Sequence, residues 1–351
     1  MGPIWFHAAS AGDIRAVAPL IDAVTAARPD QPVYLTTWTD TGRAMAHRLL
    51  PHVPLGRPPI DVPPIPGRAL SRVGARLVVL EYLELWPAWA RACARRGVPM
   101  IVVDGRVSHR SLRIRALLRR AASRLALFCA QTPTDAQNAC ALGVPADRIR
   151  VHGNGKYDAI IGRPPTPSER LRRAVGAVDV VLGSLHPDEE RPALSALARS
   201  GLRALIAPRY PERASRLLRL AARHQINAGR RSDGAARAQW VILDTMGELA
   251  SAYGLGRVAL MGGTFGRRGG QNLVEPAAHG RPVVFGPRHH NINAEVEALR
   301  GRGGWQAPDW EAALDCVAAR LVNPGPDPRP ALAQLRGATA RNREAVLALL
   351  S

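Results

Sequence analysis

The sequence predicts an α/β protein built of two doubly wound units, each a parallel sheet covered by helices on both faces. Three observations lead there. At 351 residues and 37.7 kDa, the chain is longer than one hydrophobic core usually serves, so two domains are expected. Short β-branched and apolar runs alternate with helical patterns from the first residues on, as in strands buried on both faces. One proline-rich, charged stretch, "GRPPTPSERLRRAVG" at 162–176, interrupts the rhythm, which then restarts.

In the first half the expected strands are "PIWFHA", "PVYLTT", "RLVVLEY", "VPMIVVDG", "LALFCAQ" and "RIRVHG". Helices fall between them; after Gly12, residues Ile14, Val17, Leu20, Ile21 and Val24 share one face. Residues 51–67 read as a proline-rich loop. In the second half "VDVVLGS", "LRALIAP", "WVILDT", "RVALMGG" and "PVVFGP" are strands, and 330–350 reads as an Ala/Leu/Arg helix. The expected domains are 1–155 and 178–328, with a linker at 156–177 and a C-terminal helix at 329–351. A cleft between two such units is where doubly wound folds take ligands, at the strand carboxyl ends.

The charge is the outlier. The 48 Lys and Arg residues against 28 acids give +20, which points to an anionic partner: nucleic acid, a membrane surface or a phosphorylated substrate. Aromatics are only 5%, and no basic–aromatic alternation that would stack bases is visible, so no specific nucleic acid is expected. Arginine supplies all but one of the cations; the lone lysine is Lys156, in "GNGKYD". Cys93, Cys129, Cys140 and Cys316 form no CxxC pair, so buried reduced thiols in a cytosolic protein are expected and a zinc site is not. Neither a signal peptide nor an apolar stretch long enough to span a bilayer is recognisable, so the protein is expected to be soluble or peripherally attached.

The segment most suited to chemistry is "MGGTFGRRGGQNLVEPAAHGRPVVFGP", 261–287. A strand ends in Gly262–Gly263, the loop carries Gly266, Gly269 and Gly270, and a helix is expected from near Gln271. Glycines admit a ligand to the backbone and a helix N-terminus offers N–H groups to an anion. Arg267 and Arg268 add charge, and Glu275 suits sugar hydroxyls; a tight turn with a solvated Glu275 is the alternative. "GSLHPDEE", "APRYPER" with Arg209, and "LDTMGELASAYG" with Thr245–Gly247 also follow strands, so that four loops on one sheet edge predict a nucleotide pocket.

In the first half "HAASAGD" places Asp13 either as a helix-capping residue or as a general base. "EYLELWPAW" brings Glu81 and Glu84 to another strand end, where a capped helix with a packed Trp86 is the plainer reading. On a helical wheel over 108–125, Arg110, Arg113, Arg120 and Arg124 form one stripe beside Ile114, Leu118, Ala121 and Leu125. That face suits phosphates at a membrane surface or plain solvation.

Ten segments in order make the chain resemble the Kdo (3-deoxy-D-manno-octulosonic acid) transferase family: "IWFHAASAGD", "TTWTDTG", "ELWP", "RVSHRS", "GNGKYD", "GSLHP", "PRYPER", "RRSDG", "DTMGELASAYG" and "GGQNLVEPAAHGRPVVFGP". The resemblance covers almost the whole chain. It implies a GT-B fold of two Rossmann-like domains, with acceptor on the first and CMP-sugar on the second. It also implies an inverting, metal-independent displacement without a cofactor, CMP-Kdo being the donor and a phosphorylated glycolipid of the lipid A precursor type the acceptor.

Residue by residue, Asp13 stands where the family has a glutamate as catalytic base, and Glu84 matches the acid before its "LWP". Arg209, Gly247, Glu248, Gly269, Gly270, Asn272 and Glu275 fall on the donor-binding loops. Lys156 matches the family's "GN-x-K" lysine and is expected to meet an anionic part of a substrate. The chain departs from the pattern at "DGR" (104–106), at "PRYPER", at "GGQN", and at Tyr82, where the family's acid is displaced to Glu81. The family's hydrophobic N-terminal anchor is missing, so attachment to the cytoplasmic face of the inner membrane is expected to be peripheral, through surface arginines. A CMP-sugar transferase with another acceptor, or an impaired binding relative, are the alternatives.

Overall fold

The structure is a computed structural model that describes residues 2–350, with the side chain of His109 outside that description. The chain divides into two compact units. One holds the residues up to Asp158 and those from Arg336 onward; the other is Ala159–Leu335.

The first unit is a sheet of β1 (Ile4–His7), β2 (Val33–Thr36), β3 (Leu55–Gly56), β4 (Leu77–Glu81), β5 (Met100–Gly105), β6 (Leu127–Ala130) and β7 (Ile149–Val151). Its order is β3-β2-β1-β4-β5-β6-β7, every pairing parallel. Every residue of β1, β4 and β5 is buried, because helices cover both faces of a parallel sheet. The helix Ala11–Ala27 buries Ile14, Val17, Leu20, Ile21 and Val24, the face its spacing predicts. The helix Ala338–Ala348 packs beside it and places Val346 in the same apolar cluster. Truncating Ile21 to Ala in that cluster is expected to cost about 2–5 kcal/mol.

The second unit repeats the plan with β8 (Val178–Leu185), β9 (Ala204–Pro208), β10 (Ala228–Arg230), β11 (Trp240–Ile242), β12 (Gly256–Met261), β13 (Val283–Phe285) and β14 (Gly304–Gln306). The order is β10-β11-β9-β8-β12-β13-β14, again all parallel. Register slips occur at Val102/Gly105 between β5 and β6 and at Leu182/Leu185 between β8 and β9. Inside them Asp104 (φ 49°) and Ser184 (φ 54°) take left-handed backbone, as does Tyr82 (φ 57°) just past β4. For non-glycine residues such conformations cost about 1–3 kcal/mol each and gather where a side chain is re-aimed for function.

Three strands escaped the sequence reading: β3, inside the stretch read as a loop, and β10 and β14. All are sheet edges of two or three residues. The arginine helix over 108–125 is not continuous either. Helices His109–Arg113 and Arg115–Ala122 are separated at Ile114, which is 52% exposed and so leaves the apolar stripe; Ala121 and Leu125 are buried as expected. The helix expected near Gln271 begins at Val274, since Asn272 accepts the Val274 N–H through Oδ1 at 2.9 Å and delays the first turn. The segment 156–177 contains most of the helix Gly155–Gly162 and all of Glu169–Val175. No helix among the described residues is long and apolar enough to cross a membrane.

Candidate functional site

In an open parallel sheet the crevice for a ligand opens where strand order reverses, beyond the carboxyl ends. In the first unit that point lies between β1 and β4. β1 leads through Ser10 into the helix bearing Asp13, and β4 ends in Glu81, with Tyr82 and Glu84 beyond it. Asp13 and Glu84 therefore emerge from neighbouring strands. Asp13 is half-buried, and its Oδ2 accepts from the Ser10 N–H at 2.8 Å and the Ser10 hydroxyl at 2.9 Å. The capping role is thus realised through one oxygen. The half-buried Glu84 carboxyl is raised in pKa, by burial first and then by the Asp13 charge.

Sequence reasoning missed a second layer beneath. Glu81 and Asp104 are 1% and 2% exposed and hydrogen-bond to each other. Burial, then the charges of Asp104 and Asp13, push the Glu81 carboxyl far above its ordinary range. Burial likewise raises Asp104 to about 6, against the pull of donors from Gly155 and Asn342. Gly155 ties the "GNGKYD" turn to the sheet, its N–H reaching Asp104 Oδ2 at 3.0 Å, and Asn342 ties the helix Ala338–Ala348 there, its Nδ2 reaching Oδ1 at 2.9 Å. Lys156 follows directly, exposed, its N–H donating to Asn154 Oδ1 at 3.0 Å. The departures at Tyr82 and "DGR" were the available signal, since a displaced acid and a new one are compensated when they touch.

Arg110, Arg113, Arg120 and Arg124 are all exposed, but they do not act as one stripe. Arg120 and Arg124 join Arg91 and Arg95 along a groove of about 740 Å³ that also exposes Leu117 and Pro87; Arg110 and Arg113 lie outside it. Between Glu84 and Asp135 the chain carries ten arginines and a single acid, the buried Asp104.

In the second unit the reversal lies between β8 and β12. His186 and Glu189 follow β8, and the loop from Gly262 follows β12. Glu189, 1% exposed, accepts the N–H groups of Gly263 (2.6 Å), Phe265 (3.0 Å) and Gly266 (2.9 Å), and that of His186 at 3.1 Å. The backbone N–H groups at the start of the glycine loop are therefore occupied by the protein's own carboxylate. Positive charge comes instead from side chains. Burial first, then the charges of Arg268 and Arg209, lower the His186 pKa against the opposing pull of Glu189 and Asp188, which keeps the imidazole neutral at pH 7. Gly269 (φ 79°) and Gly270 (φ 109°) are left-handed, and a Cβ on either would strike His290 or Ile292.

Gly247 and Glu248 follow β11, and Asn272 and Glu275 follow β12, so all lie on the same sheet edge as Arg209. Glu248 is held from beneath by the buried Arg231 (2.7 Å) and by the Thr245 hydroxyl. Asn272 Nδ2 donates to Glu275 Oε1 at 3.1 Å, and the Glu275 charge reaches the buried Tyr253. One edge thus presents arginines, a neutral imidazole, glycine backbone and fixed carboxylates, the equipment for a phosphate next to a hydroxylated sugar.

Known proteins resemble the chain in sequence and in fold. Residues 2–159 match the family model described as 3-deoxy-D-manno-octulosonic-acid transferase (kdotransferase). The 3-deoxy-D-manno-octulosonic acid transferase of Bordetella pertussis is 33% identical over 92% of this chain and 80% of its own length. Among solved structures, UDP-GlcNAc 2-epimerase from Methanocaldococcus jannaschii covers 99% of each chain at TM-score 0.68 and 14% identity. A glycosyltransferase from Rickettsia africae covers 100% of each at TM-score 0.68 and 13% identity. At such identity these two show the fold alone: two Rossmann-like units of the GT-B type.

Proposed function

The chain belongs to the 3-deoxy-D-manno-octulosonic acid transferase family, and on that footing we propose that it transfers Kdo from CMP-Kdo to a phosphorylated glycolipid of the lipid A precursor type. The observation that carries this reading is the emergence of Asp13 and Glu84 from neighbouring strand ends at the strand-order reversal of the first sheet.

In the proposed reaction Asp13 accepts the proton of the acceptor hydroxyl as its oxygen attacks the anomeric carbon. The new C–O bond forms while the bond from that carbon to the CMP phosphate oxygen breaks, so configuration inverts. CMP departs with the bonding electrons, its negative charge met by Arg209 and Arg268 without a metal ion. Groups fixed before the charge develops stabilise it without reorganising. Glu275 with Asn272 binds the ribose, Gly269 and Gly270 let the donor approach the backbone, Gly247 and Glu248 complete the edge, and Lys156 meets a substrate anion. Glu84, its carboxyl raised, orients the acceptor beside Asp13.

The arginine groove, together with Arg110 and Arg113, holds the protein on the anionic cytoplasmic face of the inner membrane, where the acceptor's phosphates lie. Incubating the purified protein with CMP-Kdo and a tetra-acyl, bisphosphorylated lipid A precursor tests the proposal. Mass spectrometry should find the glycolipid heavier by one or more Kdo residues; release of CMP with no sugar on the lipid would reject the acceptor. The Glu81–Asp104 pair, close to the acceptor-side carboxylates, favours a second reading in which the same donor serves a different acceptor. Screening other phosphorylated glycolipids with the same assay separates the two.

A further inference from the structure

Beneath the acceptor-side carboxylates, Glu81 and Asp104 close the ends of neighbouring strands, out of solvent and in contact. Two touching buried carboxyls cannot both be ionised without a cation between them. Asp104 already has donors on both oxygens, from Gly155 and Asn342, whereas no donor reaches the buried Glu81 Oε1. The proton therefore belongs to Glu81, and Asp104 is the carboxylate it serves. Asp13 from the first helix and Tyr82 beside Glu81 face this pair, as do Asp158 from helix Gly155–Gly162 and Cys129 from β6. Arg106 acts on Tyr82 from beyond β5. The helix Ala338–Ala348 presents the neutral Asn342, whose Oδ1 bonds His152 Nδ1 at 2.8 Å.

We propose that Glu81 and Asp104 share a single proton and together latch the Gly153–Lys156 turn onto the sheet, so that the placement of the only lysine responds to pH. Both are positioning residues acting through the Gly155 backbone. The latch goes beyond the transferase reading and does not depend on it. Near neutrality the pair holds one proton: the Glu81 hydroxyl donates to the Asp104 carboxylate, which also accepts from Gly155 and Asn342. A second proton, taken up by Asp104 below about pH 6, puts a hydroxyl among groups that are themselves donors, and the bonds to Gly155 and Asn342 weaken. The turn loosens with them.

Because Lys156 is the only lysine, reductive methylation with ¹³C places one side-chain label in the chain, apart from any on the terminal amine. Its NMR resonance can be followed from pH 5 to 8, well below the ordinary lysine pKa of about 10.4. The native protein should show an inflection near pH 6. Asp104→Asn should abolish it. Glu81→Gln should keep it, since the introduced amide donates in place of the shared proton, and His152→Gln should keep it, which separates Asp104 from the nearest imidazole. A native resonance flat over this range, an inflection surviving Asp104→Asn, or one lost in Glu81→Gln or His152→Gln, overturns the latch. Should Asp104→Asn fail to fold, the native titration and the other two variants still decide.

Discussion

The Glu189 carboxylate accepts the Gly263 N–H at 2.6 Å, so a side chain just past β8 sets the shape of the loop that follows β12. The same carboxylate holds Phe265 and Gly266. Glu189→Ala would strand the buried Gly263 N–H, at about 1–3 kcal/mol, and remove the acceptor of the half-buried Phe265 and Gly266 N–H groups, at about 0.5–1.5 kcal/mol each. A total loss above about 3 kcal/mol in urea unfolding is expected. Calorimetric titration with CMP should show affinity falling at least about tenfold; unchanged CMP affinity would separate the loop from donor binding.

Asp13→Ala removes the proposed base and the acceptor of the Ser10 N–H. Turnover with CMP-Kdo should fall about 10²–10⁴-fold, while the helix loses the half of its capping box that joins Asp13 to the Ser10 N–H, about 0.5–1.5 kcal/mol. Asp13→Glu should stay within about tenfold of the native rate if the longer side chain still reaches the hydroxyl. Equal rates in all three would remove Asp13 from the chemistry.

Glu81 has a folded-state pKa above its unfolded value. Its contribution to stability is therefore present in full below the unfolded pKa of about 4.3. It is lost progressively as pH rises from there towards the folded value, by up to about 1.4 kcal/mol per pH unit. Glu81→Gln carries no such penalty. The difference in Tm, variant minus native, should become more positive between pH 4 and pH 8; a constant difference would show that Glu81 is not buried as an acid.

Replacing Arg91, Arg95, Arg120 and Arg124 together by Gln should weaken binding to phosphatidylglycerol vesicles. At about 1 kcal/mol per cation near an anionic surface, the loss is about two to three orders of magnitude at low salt. It should shrink as salt is raised. An equal loss from an Arg110/Arg113 double replacement would mean that the groove has no special part.

Much of this architecture was legible in the sequence because buried parallel strands are dense apolar runs; β1, β4, β5, β8 and β12 announce themselves. β3, β10 and β14 did not, because an edge strand pairs on one side only and needs no such density. Leu55–Gly56 sits among prolines that read as loop. In the site, Asp13, Glu84 and the glycine loop were visible as strand-end residues. Glu189 was hidden in an acidic run that looked like an ordinary helix start, and the loop partners it holds lie more than seventy positions away. The Glu81–Asp104 contact was hidden for the same reason: only pairing of β4 with β5 makes neighbours of two acids separated by a helix.

The first unit is interrupted, and its closing helix arrives only after the whole second unit has been threaded. A stop codon after residue 158 would strip away Asn342, and with it one of the hydrogen bonds to Asp104. Ala159–Leu335, by contrast, can be cut out as one uninterrupted length. Producing the first unit by itself calls for splicing 158 to 336. The splice is short, because the Asp158 carboxylate already accepts the N–H groups of Gly337 at 2.6 Å and Thr339 at 2.7 Å.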